Sequence, residues 1–555
     1  MSHPFSSPKL PTPTHKNNKL GKQKKIAIDL QSILANPNDY QSIKVGKEKI
    51  YVGQSALYPN SNERVPFWLP ISLLSTHIFI AGAIGSGKTT VLFRLIAGAL
   101  RWYGTVIVSE AKGGINGGKE GAAFTDLASF LAKKDANVKI CRWPGSDSYF
   151  NPLENLNNSS DRREFFEMIC QVITVQYENM SGDLLAVVYN AATIAEYLLI
   201  FLQNFYPEEA LTLRILVDLL SSPKQVELAV ENGKIKIKAD IEQLHLNPEK
   251  KEALQERQER FKLLEKIDRQ LRLANFFFMD NKELVMTRRG VKIFTDMLDH
   301  EDILTYTEPH SGLKKLSIDE ILYQKTLVIL SQPLSKSSSK IVGPLFLDNF
   351  LNRVLQLGPN PKPKNGQPRL RTLVVLDETH RLPVGKIGDA AEYLREFEIG
   401  IVEVAPTIPD NNKRWEQNKH VYQTLLSLSP GIPTLTELMR DRLPHITPSP
   451  MVFRNHIDPE GNVISHSERR EDYELLLGQD NPGITSRSMQ LSGRFTGLLQ
   501  SSFIDENRKL FWIDFEDELL ANIKTLLKNA LTPDATPQDK NLVDYALGLD
   551  KYKPL

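Results

Sequence analysis

The residues with the clearest chemical potential lie in HIFIAGAIGSGKTT, residues 77–90. Every defining position of the phosphate-binding pattern GxxxxGK[ST] is filled, from Gly82 to Gly87, Lys88 and Thr89. Such a loop wraps an oligophosphate in backbone N–H groups. Gly82, Gly85 and Gly87 allow the tight turn, and Ser86, Lys88, Thr89 and Thr90 complete the candidate nucleotide-binding set. Lys88 would reach the β and γ phosphates as a point charge, a catalytic role. The Thr89 hydroxyl would complete the shell of a magnesium ion that keeps several of its waters. ATP and Mg2+ are therefore the expected cofactors.

A second stretch, RTLVVLDETHRL at residues 371–382, pairs an apolar strand with two adjacent carboxylates. This is a Walker B pattern. Asp377, at the strand's carboxyl end, is expected to hold the magnesium through a water, and Glu378 to orient the water that attacks the γ-phosphate. Loop and acid pair together predict an ATPase and not a passive nucleotide binder.

The flanking elements fit these roles. The run Ile78–Ala81 reads as a buried strand, and VLFRLIAGAL after the loop continues as a helix. TVIVSEAKGG (105–114) and NVKICRWPG (137–145) read as further strands of the same sheet, and KTLVILSQP near residue 330 as another. Between them the periodicity is helical. The segment from Pro248 to Phe278 puts Leu254, Phe261, Leu264, Ile267 and Leu271 close to helical spacing, the core stripe of a bundle with a charged, solvated face. The expected fold class is thus α/β: a RecA-like P-loop NTPase core with a mainly parallel sheet, interrupted by an inserted all-α domain. The expected divisions are a disordered basic arm (1–25), a small β-rich lead-in (26–70), the nucleotide-binding domain (71–154 and 321–445), the all-α insert (155–320) and a C-terminal closing segment (446–555).

Composition excludes other classes. With 68 Lys and Arg against 67 Asp and Glu, the 555-residue chain has no overall basic field, so nucleic acid would have to meet local patches. Two cysteines, Cys141 and Cys170, are too few for a disulfide framework or a cysteine zinc site. The longest apolar stretch, from Leu184 to Leu202, is broken by Asn190 and Glu196 and reads as a core helix, so no membrane span is expected. A cytoplasmic location follows, with recruitment to the inner membrane left to a partner.

In their order, these patterns resemble the HerA/FtsK superfamily of DNA-pumping ATPases, and within it the TraD-like type IV coupling proteins of bacterial conjugation. The likeness spans roughly residues 65–440. It rests on His77 before the P-loop strand, the turn Glu110-x-Lys112-Gly113, the FNPLENL stretch (150–156), the helical insert and the LDE end of the Walker B strand. The resemblance implies a homo-hexameric ring, nucleotide at subunit interfaces and DNA threaded through the centre. Three features depart from it. Coupling proteins usually begin with membrane helices; Glu110 stands where Asp is common; and the strand after Walker B offers Ala405, Pro406 and Thr407 where the family has a γ-phosphate-sensing Gln. Thr407 and Asn411 are possible substitutes.

DNA contact is expected from two loops, PNPKPKNGQPRLR (359–371) and GGINGGKEG (113–121, with Lys119), whose cations would track phosphates without reading sequence. An arginine supplied by a neighbouring subunit has four candidates, Arg414, Arg440, Arg442 and Arg494. Three functions remain open: a DNA motor in plasmid or mobile-element transfer with a secretion-channel partner, a HerA-like motor working with a nuclease, and a protein-secretion ATPase or assembly switch that moves no DNA.

Overall fold

The computed structural model describes residues 47–56, 64–83, 85–110, 122–145, 147–156, 158–176, 181–206, 211–245, 250–279, 281, 284–310, 312–332, 340–377, 390–406, 415, 419–428, 435, 438–439, 442, 451–457, 463–469, 496–501, 510–515 and 522–551. The basic arm lies outside them.

Among these residues the strands are, in chain order, β1 (Lys49–Ala56), β2 (Val65–Pro70), β3 (Ile78–Ala81), β4 (Gly104–Glu110), β5 (Lys139–Trp143), β6 (Ser148–Tyr149), β7 (Lys314–Lys315), β8 (Thr326–Ser331), β9 (Arg371–Asp377), β10 (Ile399–Ala405), β11 (Thr424–Leu428), β12 (Met451–Ile457), β13 (Val463–Arg469), β14 (Thr496–Ser501) and β15 (Leu510–Asp514). One 11-stranded sheet runs β2-β1-β15-β14-β11-β3-β10-β9-β4-β8-β5. From β11 to β5 every neighbour is parallel, and from β11 out to β2 every neighbour is antiparallel. The inner parallel strands β3, β4, β8, β9 and β10 are short, mainly apolar runs buried on both faces, as a sheet covered by helices requires, while the edge strand β5 is only partly buried. The lead-in strands β1 and β2 join this sheet through β15, so residues near the two ends of the chain pair beside the nucleotide core.

The helices are α1 (Lys88–Trp102), α2 (Ala122–Lys134), α3 (Ser159–Gln176), α4 (Gly182–Phe205), α5 (Leu213–Leu220), α6 (Pro223–His245), α7 (Lys251–Leu273), α8 (Val285–Leu298), α9 (Glu301–Thr305), α10 (Ile318–Tyr323), α11 (Val342–Leu357), α12 (Ala391–Leu394), α13 (Ile523–Leu531) and α14 (Pro537–Ala546). Alternation along each strand divides the packing between two cores. Val106 and Val108 of β4 face a core shared with α1, α2, α13 and α14. Ile107 faces the other, shared with α11 and the helical bundle.

That bundle, α3 to α9, is built round α4. By length and composition α4 is apolar enough to cross a membrane. Here Val188, Ala191, Ile194, Ala195, Leu198 and Leu199 are buried in the bundle core, and Asn190 donates to the Ala274 carbonyl at 3.1 Å. In α7, Leu264, Ile267 and Leu271 are buried, and the charged face pairs with α6 through Lys234 with Asp268 (2.6 Å) and Arg272 with Glu227 (3.0 Å). Those cations are already engaged with carboxylates. Burial pushes both thiols up, Cys141 to about 11 and Cys170 to about 12, which leaves them unreactive near neutral pH.

Candidate nucleotide site

The parallel register aligns the candidate chemistry along one edge. Ala81, the last residue of β3, pairs with Ala405 of β10 and Ser427 of β11. Val404 of β10 pairs with Asp377 of β9, and Ser109 of β4 pairs with Leu376, which brings Glu110 beside Asp377. The P-loop therefore leaves the sheet at the same carboxyl-end edge as the Walker B acid. Two strand spacings separate β3 from β9, about 10 Å, a distance that a metal-bound triphosphate spans. The crevice beyond the carboxyl ends of parallel strands is where open α/β sheets hold ligands.

The loop itself is shaped for an anion. Gly85 and Gly87 take φ of 84° and 96°, the left-handed region that glycine enters without strain. A Cβ on Gly82 would lie 2.6 Å from Ser86 Oγ and 2.7 Å from Leu428 Cβ, so no side chain fits there. α1 starts from Gly87 with no side-chain cap and no acid in its first turn. Its positive end therefore carries no capping side chain at Gly87 and no acid in the first turn to offset the helix dipole. A phosphate supplies what is missing.

Two further observations support the fit. Ser86 Oγ is buried and has no hydrogen-bond partner among the described residues. The Lys88 ammonium donates to the carbonyls of Gly82 (2.6 Å) and Ala83 (3.0 Å), folded back over its own loop. Thr89 is half-buried and Thr90 buried. Asp377 is buried at the end of β9. These residues fit a magnesium nucleotide: N–H groups and Lys88 toward phosphate, Thr89 and Asp377 toward the cation. Glu378 lies outside the described residues, as do Lys112, Gly113, Lys119, Thr407, Asn411, Arg414, Arg440 and Arg494.

Glu110 is 3% exposed. Burial pushes its carboxyl up to about 8, the Asp377 charge adds to the shift, and Arg142 and Lys524 oppose it. Near neutral pH it is largely protonated, a donor beside Asp377. Next along the edge stands Gln332, fully buried, whose Nε2 donates to Ser109 Oγ and whose backbone N–H donates to the Glu110 carbonyl at 2.9 Å. Its Oε1 has no partner among the described residues. Sequence reading passed over Gln332, although a Gln directly after the apolar run TLVILS, where β4 and β9 carry acids, was the available signal.

Other expected residues have different places. His77 sits at the amino end of β3, away from the phosphate edge. Its Nδ1 accepts from Ile401 N–H (3.0 Å) and its Nε2 lies 2.6 Å from the Ala391 carbonyl, which fixes the neutral tautomer with Nε2 as donor. Burial lowers its pKa to about 4. It is a brace between β3, β10 and α12. Arg442 donates to the carbonyls of Tyr422 (2.8 Å) and Lys419 of its own chain. In the loop 359–371, Lys364 reaches Asp319 at 3.2 Å, Arg369 donates to the carbonyls of Gly358, Pro359 and Phe397, and Arg371 pairs with Glu398 at 3.3 Å. Arg369 is committed to backbone carbonyls, whereas the ion pairs of Lys364 and Arg371 lie at the exposed surface. β10 ends at Ala405, with Pro406 following.

No family model matches the sequence, and no curated protein is significantly similar to it. Solved structures are similar in fold. The unbound bacterial conjugative coupling protein TrwB superposes with a TM-score of 0.50 at 14% identity, over 87% of this chain and 92% of that one. Plasmid coupling protein TrwB in complex with ADP and Mg2+ gives a TM-score of 0.50 at 13% identity, over 87% and 93%. TrwB with the non-hydrolysable GTP analogue GDPNP gives 0.50 at 12%, with the same coverage. The chain has the fold of a type IV coupling protein: an α/β P-loop core with a largely parallel sheet and a helical insert.

Proposed function

We propose that this chain is an ATPase of the type IV coupling class that hydrolyses ATP to move DNA in plasmid or mobile-element transfer. The observation that carries the reading is the common edge at which the P-loop, Asp377 and Glu110 meet. The N–H groups of residues 85–89 and the Lys88 ammonium bind and orient the phosphates. Lys88 exchanges its two loop carbonyls for the β and γ phosphate oxygens. Thr89 and Asp377 would hold the cation. When bound, that cation neutralises charge on the transferring phosphoryl group. Glu378, next to Asp377, orients the attacking water. In the absence of a cation Glu110 is held largely protonated and so adds no second negative charge beside Asp377.

DNA is the proposed substrate and a homo-hexamer the proposed assembly, since nucleotide at a subunit boundary lets hydrolysis move one copy against the next. A cytoplasmic location with a secretion-channel partner belongs to the same proposal. The test is ATP turnover by the purified chain with no nucleic acid, with single-stranded DNA and with duplex DNA. Stimulation by DNA, lost in Lys88→Ala and Glu378→Gln, is the expected result. Turnover indifferent to every DNA form would reject DNA as substrate.

One observation favours a second reading. β10, between the P-loop and Walker B strands, ends at Ala405 with Pro406 following, and neither of these two residues offers an amide side chain to a γ-phosphate. A slow ATP-dependent assembly switch follows from that. Tight ATP binding without turnover would select it.

A further inference from the structure

α1, which begins at the P-loop, is buried on every side: each residue from Thr90 to Leu100 is buried, including Arg94 at 1% exposure. A cation costs several kcal/mol to bury unless its donors are matched, so the acceptors around Arg94 decide whether this helix can sit where it does. Its Nη1 donates to the Val52 carbonyl at 2.7 Å, its Nε to the Ala546 carbonyl at 2.9 Å, and its guanidinium lies 5.1 Å from the Tyr51 ring centroid.

Both carbonyls are ones that regular structure leaves over. The β1–β2 register shifts between Tyr51 and Gly53, and Val52 has no partner in the register of either β2 or β15. It is a bulged residue whose carbonyl turns out of the ladder. Ala546 is the last residue of α14, where helical carbonyls run out of intrahelical donors and the dipole favours a cation. Arg94 thus caps α14 and fills the bulge of β1 from inside the P-loop helix. Two close approaches fix the geometry: a Cβ on Gly98 of α1 would lie 2.6 Å from Ile50, and Gly548, just beyond α14 with φ of 70°, would drive a Cβ to 2.3 Å from Tyr51.

We propose that Arg94 is a positioning residue for the nucleotide: it pins the P-loop helix to β1 and α14, so the phosphate site depends on residues 49–56 and 537–548, close to the two ends of the described chain. The proposal rests on the reading of residues 82–89 as a nucleotide site. Arg94 touches no phosphate. It holds the axis along which the helix start presents its N–H groups, and a small tilt of that axis misplaces every donor at once. Coupling also runs outward, because a ligand that fixes the start of α1 steadies whatever Arg94 grips.

The test uses the full-length chain with Mg2+ and a non-hydrolysable ATP analogue. Calorimetric Kd values are measured for wild type, Arg94→Met, Arg94→Lys, Gly548→Ala and the control Lys88→Ala, each shown by circular dichroism to be folded at the working temperature. Arg94→Met and Gly548→Ala should raise Kd tenfold or more, and Arg94→Lys should recover part of the loss. Gly548→Ala carries the test if Arg94→Met does not fold, since its lesion lies outside α1. Hydrogen exchange on wild type needs no variant: the analogue should slow exchange at 49–56 and 537–546. A folded Arg94→Met or Gly548→Ala that binds within twofold of wild type overturns the proposal, as does exchange in those segments that ignores the analogue. Lys88→Ala binding as tightly as wild type is a different failure, that of the nucleotide site itself.

Discussion

Replacing Glu110 by Gln isolates a proton that the folded chain holds and the unfolded chain does not. In the fold the carboxyl titrates near 8, against 4.5 for an ordinary glutamate, because burial and the neighbouring Asp377 disfavour its charge. A carboxyl with a raised folded pKa contributes stability that is full below the unfolded value and lost as pH climbs through the folded one. His77 works in the opposite sense: its pKa falls from 6.5 to about 4, so its contribution grows as pH rises and is complete above 6.5. Below pH 6.5 the two slopes cancel in part. Between pH 6.5 and 8 the Glu110 slope stands apart, and wild type should lose roughly 2 kcal/mol, at a limiting rate near 1.4 kcal/mol per pH unit. Glu110→Gln keeps the shape and removes the titration, so its stability should be nearly flat over that window. The assay is urea unfolding at several pH values without magnesium or nucleotide, following the transition that added nucleotide shifts, since a chain of this size need not unfold in one step. A wild-type midpoint independent of pH from 6.5 to 8, or a slope unchanged in the variant, refutes the assignment of a buried neutral acid.

Lys88→Ala should abolish saturable nucleotide binding, whereas Glu378→Gln should bind ATP as tightly as wild type and turn it over at least about 100-fold more slowly, as single-turnover kinetics would reveal. Gly400→Ala would place a Cβ 2.2 Å from the Leu74 carbonyl, backbone against backbone, and should cost about 3 kcal/mol or prevent folding, read as a lower urea midpoint or insoluble expression. Arg442→Ala should cost about 1–3 kcal/mol by releasing two carbonyls while kcat per folded molecule stays within about threefold; a collapse of kcat with unchanged melting would make it the arginine given to a neighbouring subunit. Arg369→Ala should lower stability and leave the salt dependence of DNA affinity unaltered, because its donors already serve three carbonyls.

The elements legible in the sequence were those whose physics is local. A glycine loop between an apolar strand and a helix, or an apolar strand ending in two acids, fixes its own geometry within a dozen residues, and β3, α1 and β9 lie where those patterns put them. Helical periodicity likewise marked the insert, because a buried stripe repeats along one helix whatever it packs against. The sheet's order was not legible. β1 pairs with β15 across more than four hundred positions, and nothing in KIYVGQSA or KLFWIDFE specifies the other beyond apolar alternation.

Cations were the hardest residues to read, because a Lys or Arg has the same letter whether it faces water, DNA or a carbonyl. The loop 359–371 reads as a basic phosphate track, and the structure turns Arg369 onto backbone carbonyls and pairs Arg371 with Glu398. Arg94 is the one charged residue in VLFRLIAGAL, and it lies in the stretch Thr90–Leu100 of α1 that is buried throughout. What decides its role is a bulge at Val52 and a helix end at Ala546, two places where backbone carbonyls lack donors. Neither deficit shows in a propensity or a period. A buried cation is therefore best located by counting the carbonyls that regular structure leaves unpaired, and by that count the P-loop helix and the two distant segments around it act as one unit.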